Sequence, residues 1–344
     1  MEENRSFIAK DETNIIKGFA IILMFIHHFF TFPSFWIDSV AEMYVNNHFD
    51  VFNTSFKICV PIFAFLTGYF YFFAKKKTFR YSIKKSTDFW ICYLVVFALL
   101  VIAAILSGAY SFSTAAIIKE AFALSRPTMI FCWYVIFYIG TMLIMPLFYK
   151  LTKINDFLAL VIFSVSPMVL VFICNNSGVS FLSALTDYFN YFSYLPCVLI
   201  GFFAAKYDIL FKLYEVTKKQ KTVIQLLIGC VMMILPFLAR GYSEALDLLY
   251  APMFIFGLVS ILKLVKHRQI LLPLSFLGKY SLLLWFLHCG FFNQLKDFTQ
   301  PVLYFPKHPI PVTIWGLLIC LVIAVILQIP IDGINKLKNK LFRL

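Results

Sequence analysis

Ten long runs of apolar residues divide the chain, and polar or charged segments separate them. A run of about 20 apolar residues forms a helix that can cross the roughly 30 Å hydrocarbon layer of a bilayer. The pattern therefore predicts an all-α polytopic membrane protein with about ten transmembrane helices. Their predicted bounds are 15–32, 56–74, 89–108, 129–149, 157–174, 188–205, 222–239, 248–265, 274–292 and 310–331.

No segment between these helices is long enough to fold separately. We therefore expect one membrane domain over residues 1–344, with its helices from about 15 to 331. Composition agrees with a membrane protein, because 61% of the residues are hydrophobic and only 14% are charged. Soluble domains are nearer half apolar and about a quarter charged.

The net charge of +13 comes mostly from lysine and arginine in alternate loops. Loop one, residues 33–55, has three acidic residues and no lysine or arginine. Basic loops stay on the cytoplasmic side of a membrane. We therefore expect both termini in the cytoplasm. We also expect these basic residues to orient the helices and contact membrane lipid, and not to bind nucleic acid. The sequence gives no signal for an oligomeric state.

Eight cysteines fall in or beside the apolar runs, without a CxxC pair or a ligand-like spacing. Metal sites and disulfide frameworks need closer or regular spacings. The sequence predicts buried thiols and no metal site.

The long third loop contains the segment AAIIKEAFAL. In this segment apolar residues flank one charged pair, as in helices that lie at a membrane surface. We expect a short interfacial helix there.

The first helix contains the segment KGFAIILMFIHH, which begins at Lys17 and ends at His28. Residues eleven apart on a helix return to nearly the same face, about 16 Å apart along the axis, whereas His27 points about 80° away. Ionisable groups inside a membrane usually mark functional sites. His28 is therefore our candidate general base, since a neutral imidazole can take a proton from an alcohol. The alternative is a structural histidine that bonds to a neighbouring helix.

A basic segment, KKKTFRYSIKK, follows the second helix. Clustered cations can bind the phosphates of a nucleotide-bearing cofactor, and Arg80, Lys84 and Lys85 are the candidates. Helix orientation and attraction to anionic lipid would also explain these charges.

Two further helices carry candidate cavity residues. In the second helix Thr67 precedes Gly68, where close helix contact is the simplest explanation. In the ninth helix the spacing of Ser281, Trp285 and His288 places them on one face. This face suggests a cavity wall, although aromatic stripes in membranes also pack or mark an interface.

These short motifs, in this order, resemble those of the acyltransferase-3 family of integral membrane acyltransferases. The family begins with arginine or lysine, small residues, and histidine at the eleventh position. Its later motifs are a Ser-Gly-aromatic element, a Trp-Phe element, and a Leu-Gly-x-x-Ser element followed by aromatic-x-x-His. Residues of this chain resemble these motifs in the same order. The matching residues are Lys17, Gly18, Ala20, His28, Leu66, Thr67, Gly68, Tyr69, Trp133, Tyr134, Leu277, Gly278, Ser281, Trp285 and His288.

The resemblance implies transfer of an acyl group, with acetyl-CoA as donor, to a hydroxyl of a cell-envelope carbohydrate at the bacterial cytoplasmic membrane. His28 would act as the base, and Lys17 would hold anionic groups of the donor or stabilise developing charge. Thr67, Trp133, Tyr134, Ser281, Trp285 and His288 would line the substrate cavity. Where the family has paired arginines three residues apart, this chain has Lys85 and Asp88.

Three alternatives remain compatible with the residues, and one is a sensory or scaffold protein that keeps the fold without activity. His28 could itself carry the acyl group, since histidine can act as a nucleophile. A transporter or flippase of lipid-linked sugars would also be polytopic with histidines inside the membrane. Transporters of that kind often contain internal repeats, and this sequence shows none.

Overall fold

A computed structural model of the chain describes residues 6–44, 51–109 and 113–342. Seventeen α-helices occur in these residues, together with short 3₁₀ turns, and no strand is present among them. The helices are α1 (Lys10–Phe30), α2 (Asp38–Tyr44), α3 (Asn53–Phe56), α4 (Cys59–Phe72), α5 (Phe79–Leu106), α6 (Thr114–Ala121), α7 (Tyr134–Leu151), α8 (Asp156–Asn176), α9 (Ser180–Asn190), α10 (Leu195–Lys206), α11 (Ile209–Thr217), α12 (Thr222–Arg240), α13 (Asp247–Leu264), α14 (Leu272–Lys279), α15 (Ser281–Leu287), α16 (Lys296–Leu303) and α17 (Pro309–Phe342).

In the described part of the chain, nine helices are long and apolar enough to cross a membrane. A bent pair, Arg268–Lys279 and Ser281–Phe291, makes a tenth span if it is counted as one, with a bend of 56°. The protein is therefore a multi-pass membrane protein, and the predicted all-α fold with about ten spans is confirmed.

Helix α5 begins earlier than the sequence pattern predicts. We expected the third span to start at residue 89, but the helix starts at Phe79 and has 28 residues. At 1.5 Å per residue it is about 42 Å long, more than the hydrocarbon layer needs. Arg80, Lys84 and Lys85 therefore lie on its first turns and not in a loop, because hydropathy detects the apolar part of a helix and not its polar extension.

The helix predicted in the third loop is present as α6. Its carboxylate, Glu120, is only 1% exposed. The helix was thus predictable from the sequence, but the burial of this carboxylate was not.

The helices form two compact units, each assembled from three segments of the chain. The first unit comprises Met1–Leu23, Val51–Phe79 and Leu143–Lys279, and the second comprises Met24–Asp50, Arg80–Met142 and Tyr280–Leu344. The division falls within α1, so its two halves are described separately.

Paired glycines set the helix contacts of the first unit. A Cβ on Gly68 of α4 would lie 1.7 Å from the carbonyl oxygen of Val198 in α10, and one on Gly201 would lie 2.1 Å from that of Phe65. Small residues of this kind allow helix backbones to touch in membranes. The close helix contact predicted at Gly68 is confirmed.

Helices α1 and α14 meet in the same way. A Cβ on Gly18 would lie 2.0 Å from the Leu274 carbonyl oxygen, and one on Gly278 would lie 1.7 Å from that of Asn14. The glycine that follows Lys17 in the first motif thus packs against the glycine of the Leu-Gly motif.

Buried charges of the first unit are paired. Glu12 is 1% exposed and accepts hydrogen bonds from Lys263 at 3.3 Å and Arg268 at 3.2 Å. Arg240 is fully buried and donates to both carboxylate oxygens of Asp247, at 2.7 and 3.0 Å. Such pairing is what makes a buried charge tolerable.

In the second unit, polar side chains tie the connecting segments together. The buried Gln300 donates to the carbonyl oxygens of Phe35 and Phe291, at 2.7 and 2.8 Å, and accepts from the Ile37 amide at 2.9 Å. Asn293 donates to the Thr128 carbonyl oxygen at 2.8 Å. These bonds fix segments next to the candidate site.

Candidate active site

The end of α1 carries the histidine pair, and two aromatic side chains cap it. The last carbonyl groups of a helix have no partner inside the helix. Here the Phe29 carbonyl oxygen accepts from the Trp36 indole at 3.2 Å and from the Tyr304 hydroxyl at 2.7 Å. Since His27 and His28 lie in this last turn, their backbone is held in place.

The two histidines occupy different surroundings, as their helical positions predict. His27 is 5% exposed, and its Nδ1 lies 3.3 Å from the hydroxyl of Thr31. His28 is half-buried, and its Nδ1 lies 3.1 Å from the sulfur of Met24. Of the pair, His28 is thus the more accessible to a substrate.

Three nearly parallel rings meet at His28. Its ring centroid lies 4.0 Å from that of Phe131 and 4.6 Å from that of His288, with interplanar angles of 8° and 2°. Phe131 and His288 are themselves 5.4 Å apart at 10°. Two residues from distant parts of the sequence, Phe131 and His288, therefore hold the imidazole plane of His28.

His288 lies at the end of α15, where the chain tightens into a 3₁₀ turn at His288–Phe291. Its ring is fully buried, and its Nδ1 contacts the carbonyl oxygen of Trp285. Since a carbonyl only accepts, this nitrogen carries the proton, and in the neutral ring Nε2 has a lone pair. Nε2 has no hydrogen-bond partner within the described residues.

Glu120 holds the segment that carries Phe131. Its Oε1 accepts from the backbone amides of Thr128 and Met129, at 2.6 and 2.8 Å. Burial raises the pKa of this carboxyl, although the two amide bonds oppose that effect. Sequence reasoning missed both Glu120 and Phe131, and the available signal was a single acidic residue in an apolar loop helix.

Most predicted cavity residues lie in the second unit with His28 and His288. The Tyr134 ring centroid is 4.6 Å from that of Trp285 and 5.8 Å from that of Trp133. Ser281, at the start of α15, is buried. Trp133, just before α7, thus forms an aromatic group with Tyr134 on α7 and Trp285 on α15.

Lys17 and Thr67 belong to the first unit. The Thr67 hydroxyl donates to the Phe63 carbonyl oxygen of its own helix at 2.9 Å. Lys17, in the first-unit part of α1, is half-buried.

The three predicted phosphate-binding cations share the first turns of α5. Arg80 and Lys85 are exposed and Lys84 is half-buried. Four residues after Lys84, Asp88 pairs with the buried ammonium of Lys338 on α17. Asp88 is thus engaged by Lys338, and the three cations stand at the polar end of the helix.

Comparison with known proteins identifies the family. A family model described as an acyltransferase domain matches residues 11–329, nearly the whole chain. No curated protein and no solved structure gives a significant match. The protein is a multi-pass membrane acyltransferase, and the chain belongs to the acyltransferase-3 family.

Proposed function

We propose that the protein transfers an acetyl group from acetyl-CoA to a hydroxyl of a cell-envelope carbohydrate at the bacterial cytoplasmic membrane. The observation that supports this most is the environment of His28 in a chain that matches an acyltransferase domain throughout. This histidine is half-buried, and parallel rings fix its plane. A base held in one orientation at a partly accessible position suits proton transfer from a hydroxyl.

In the simplest reaction His28 acts as general base. It takes the proton of the acceptor hydroxyl while that oxygen forms a bond to the thioester carbonyl carbon. The carbon–sulfur bond then breaks, and the proton on His28 passes to the leaving thiolate, which departs as the thiol. His28 lies in the last turn of α1, where the partial negative charge of a helix end suits a ring that gains a proton.

The cations are assigned to the donor. A spacing of eleven residues in the sequence corresponds to about 16 Å along a helix, so we assign Lys17 to an anionic group of the donor and not to the reacting carbonyl. Arg80, Lys84 and Lys85 would bind phosphates, which suits their position at the polar end of α5. Acetyl-CoA has phosphates at one end and the thioester at the other, so such a division of roles fits its chemistry.

The acceptor would meet the aromatic side chains. Trp133, Tyr134 and Trp285 supply ring faces, and Ser281 supplies a hydroxyl, the mixture that small-molecule sites commonly use. The sequence motifs also assign Thr67 to this lining, and membrane lipid surrounds the helices.

The second route passes through an acetylated His28. The imidazole nitrogen would attack the thioester, release the thiol, and later pass the acetyl group to the hydroxyl. Mass spectrometry of the protein after incubation with acetyl-CoA alone separates the routes. Acetyl-His28 that then disappears when carbohydrate is added would favour this second route.

The test compares His28→Ala with His27→Ala in the full-length protein, reconstituted in liposomes at equal amounts. Labelled acetyl-CoA and an extract of envelope carbohydrate supply donor and acceptor. Loss of general base catalysis should lower transfer about 100-fold or more for His28→Ala, whereas His27→Ala should keep most of the activity. Equal losses in both variants would remove His28 from this role. No transfer by the wild type, with sugar translocation instead, would contradict the proposed function.

A further inference from the structure

We propose that His288 is a positioning residue for His28: its neutral ring sets the plane of the catalytic imidazole and supports the charge that develops on it. The proposal rests on the proposed function, since it assigns His288 a role in the action of that base. It differs from the cavity role predicted by sequence, because His288 acts here through another side chain and not on substrate.

His288 is held in one orientation by its surroundings. The contact of its Nδ1 with the Trp285 carbonyl oxygen fixes one tautomer and one ring orientation. Rings of Phe25 and Phe292 surround it, at centroid distances of 5.8 and 6.4 Å. With no exposed surface, the ring has little freedom to rotate.

The held ring of His288 stacks on the ring of His28. The His28 and His288 planes differ by only 2° at 4.6 Å, which is an offset stack. Because His288 cannot turn, the stack transfers its orientation to His28. The ring of His28 is thereby directed.

A neutral His288 also suits the charge that develops on His28. When His28 takes a proton, a second cation beside it would repel it. His288 needs a proton on only one ring nitrogen, because its Nε2 has no hydrogen-bond acceptor within the described residues. A neutral ring under the developing imidazolium instead offers an attractive π face.

Two variants separate the ring from its hydrogen bond. His288→Phe keeps an aromatic ring and loses both nitrogens, whereas His288→Asn keeps a side-chain N–H for the Trp285 carbonyl and loses the ring. Both are made in the full-length protein, and kcat and KM for acetyl-CoA are measured per folded molecule. We expect His288→Phe to retain kcat, and His288→Asn to lower it about tenfold with KM little changed.

Other outcomes overturn the proposal. If both variants lose activity equally while folded, Nε2 serves substrate directly. If His288→Asn keeps the wild-type kcat, the ring is not needed. Should His288→Phe not fold, the labelling rate of His28 in His288→Asn, described next, decides: a changed rate supports positioning, and an unchanged rate overturns it.

A second measurement does not depend on turnover. Diethyl pyrocarbonate acylates accessible imidazole nitrogens, and mass spectrometry gives the rate at His28. We expect the same rate in wild type and His288→Phe and a changed rate in His288→Asn, where the ring of His28 is released. An unchanged rate in His288→Asn overturns the positioning role. Absence of acetyl transfer by the wild type would instead count against the proposed function alone.

Discussion

The two units treat their buried polar side chains in different ways. In the first unit the buried charges are paired with opposite charges: Glu12 with Lys263 and Arg268, and Arg240 with Asp247. In the second unit His28 and His288 have aromatic rings as their close neighbours. One nitrogen of the second histidine has no hydrogen-bond partner in the described residues.

This difference separates stabilising groups from candidate reactive ones. Leaving a buried polar atom unpaired costs free energy, so natural proteins pair nearly all of them. Sites where that rule is broken are often sites where chemistry needs an available lone pair or a neutral ring. The second unit pairs other buried polar groups, such as Gln300 and Glu120. It also contains buried side-chain oxygens with no hydrogen-bond partner among the described residues, such as those of Ser82 and Thr141. His288 is therefore distinguished by its ring stack and not by its unpaired nitrogen alone.

We expect the largest effect on stability when a buried charge pair of the first unit is broken. Asp247→Ala leaves the guanidinium of the fully buried Arg240 without its main partner. We expect the free energy of unfolding to fall by about 3–5 kcal/mol. Chemical unfolding in detergent, followed by circular dichroism, measures it.

The matched control is Lys57→Ala, because Lys57 pairs with Glu244 at 3.1 Å near the surface. Both side chains of that pair are more than a third exposed, at 34% and 42%. Exposed pairs contribute about 0–1 kcal/mol. Similar losses in the two variants would show that the buried pair has no special importance.

We expect the second-largest effect on stability from a substitution at the backbone contact between α1 and α14. In Gly278→Ala the new Cβ would overlap the Asn14 carbonyl oxygen, so the helices must separate. We expect a loss of about 1–3 kcal/mol, typical of overpacking. In the control, Gly333→Ala on α17, a Cβ meets no atom within 4 Å, so the melting temperature should stay or rise. A tolerated Gly278→Ala would contradict the close crossing.

Sequence patterns predicted the fold well because each span is a local feature. An apolar run of sufficient length determines a membrane helix by itself, and the loop-three helix and the Gly68 contact also follow from short segments. The helical angle between His27 and His28 predicted different faces for the two side chains, and of the two His28 is the less buried. These inferences need only the geometry of one helix.

The surroundings of the candidate base were much less predictable. The stack joins residues 28, 131 and 288, and no periodicity within one helix relates them. Glu120 was hidden because its bonds go to amides of a segment eight and nine residues later, beyond helical spacing. The bend between α14 and α15 is also absent from the hydropathy pattern, which reads one continuous span.

The smallest effect tests whether Glu120 belongs with the paired groups. Burial raises its pKa in the folded protein, so the folded state keeps the proton to higher pH than the unfolded state does. Its contribution to stability is therefore full below the ordinary glutamate pKa and is lost as pH rises through the raised value. Glu120→Gln cannot lose a proton and should show a flatter dependence of melting temperature on pH.

The amide oxygen of Glu120→Gln can still accept from the Thr128 and Met129 amides, because both donate to a single oxygen of Glu120. At acid pH we therefore expect the variant to lie within about 1 kcal/mol of wild type. Above the raised pKa it should be the more stable protein, since no buried charge forms. The control is Glu120→Ala, which leaves two buried amides without an acceptor and should be less stable at every pH. If Glu120→Gln instead loses stability relative to wild type as pH rises, the ionised carboxylate is the stabilising form, and Glu120 would match Glu12 as a buried charge that the fold supports.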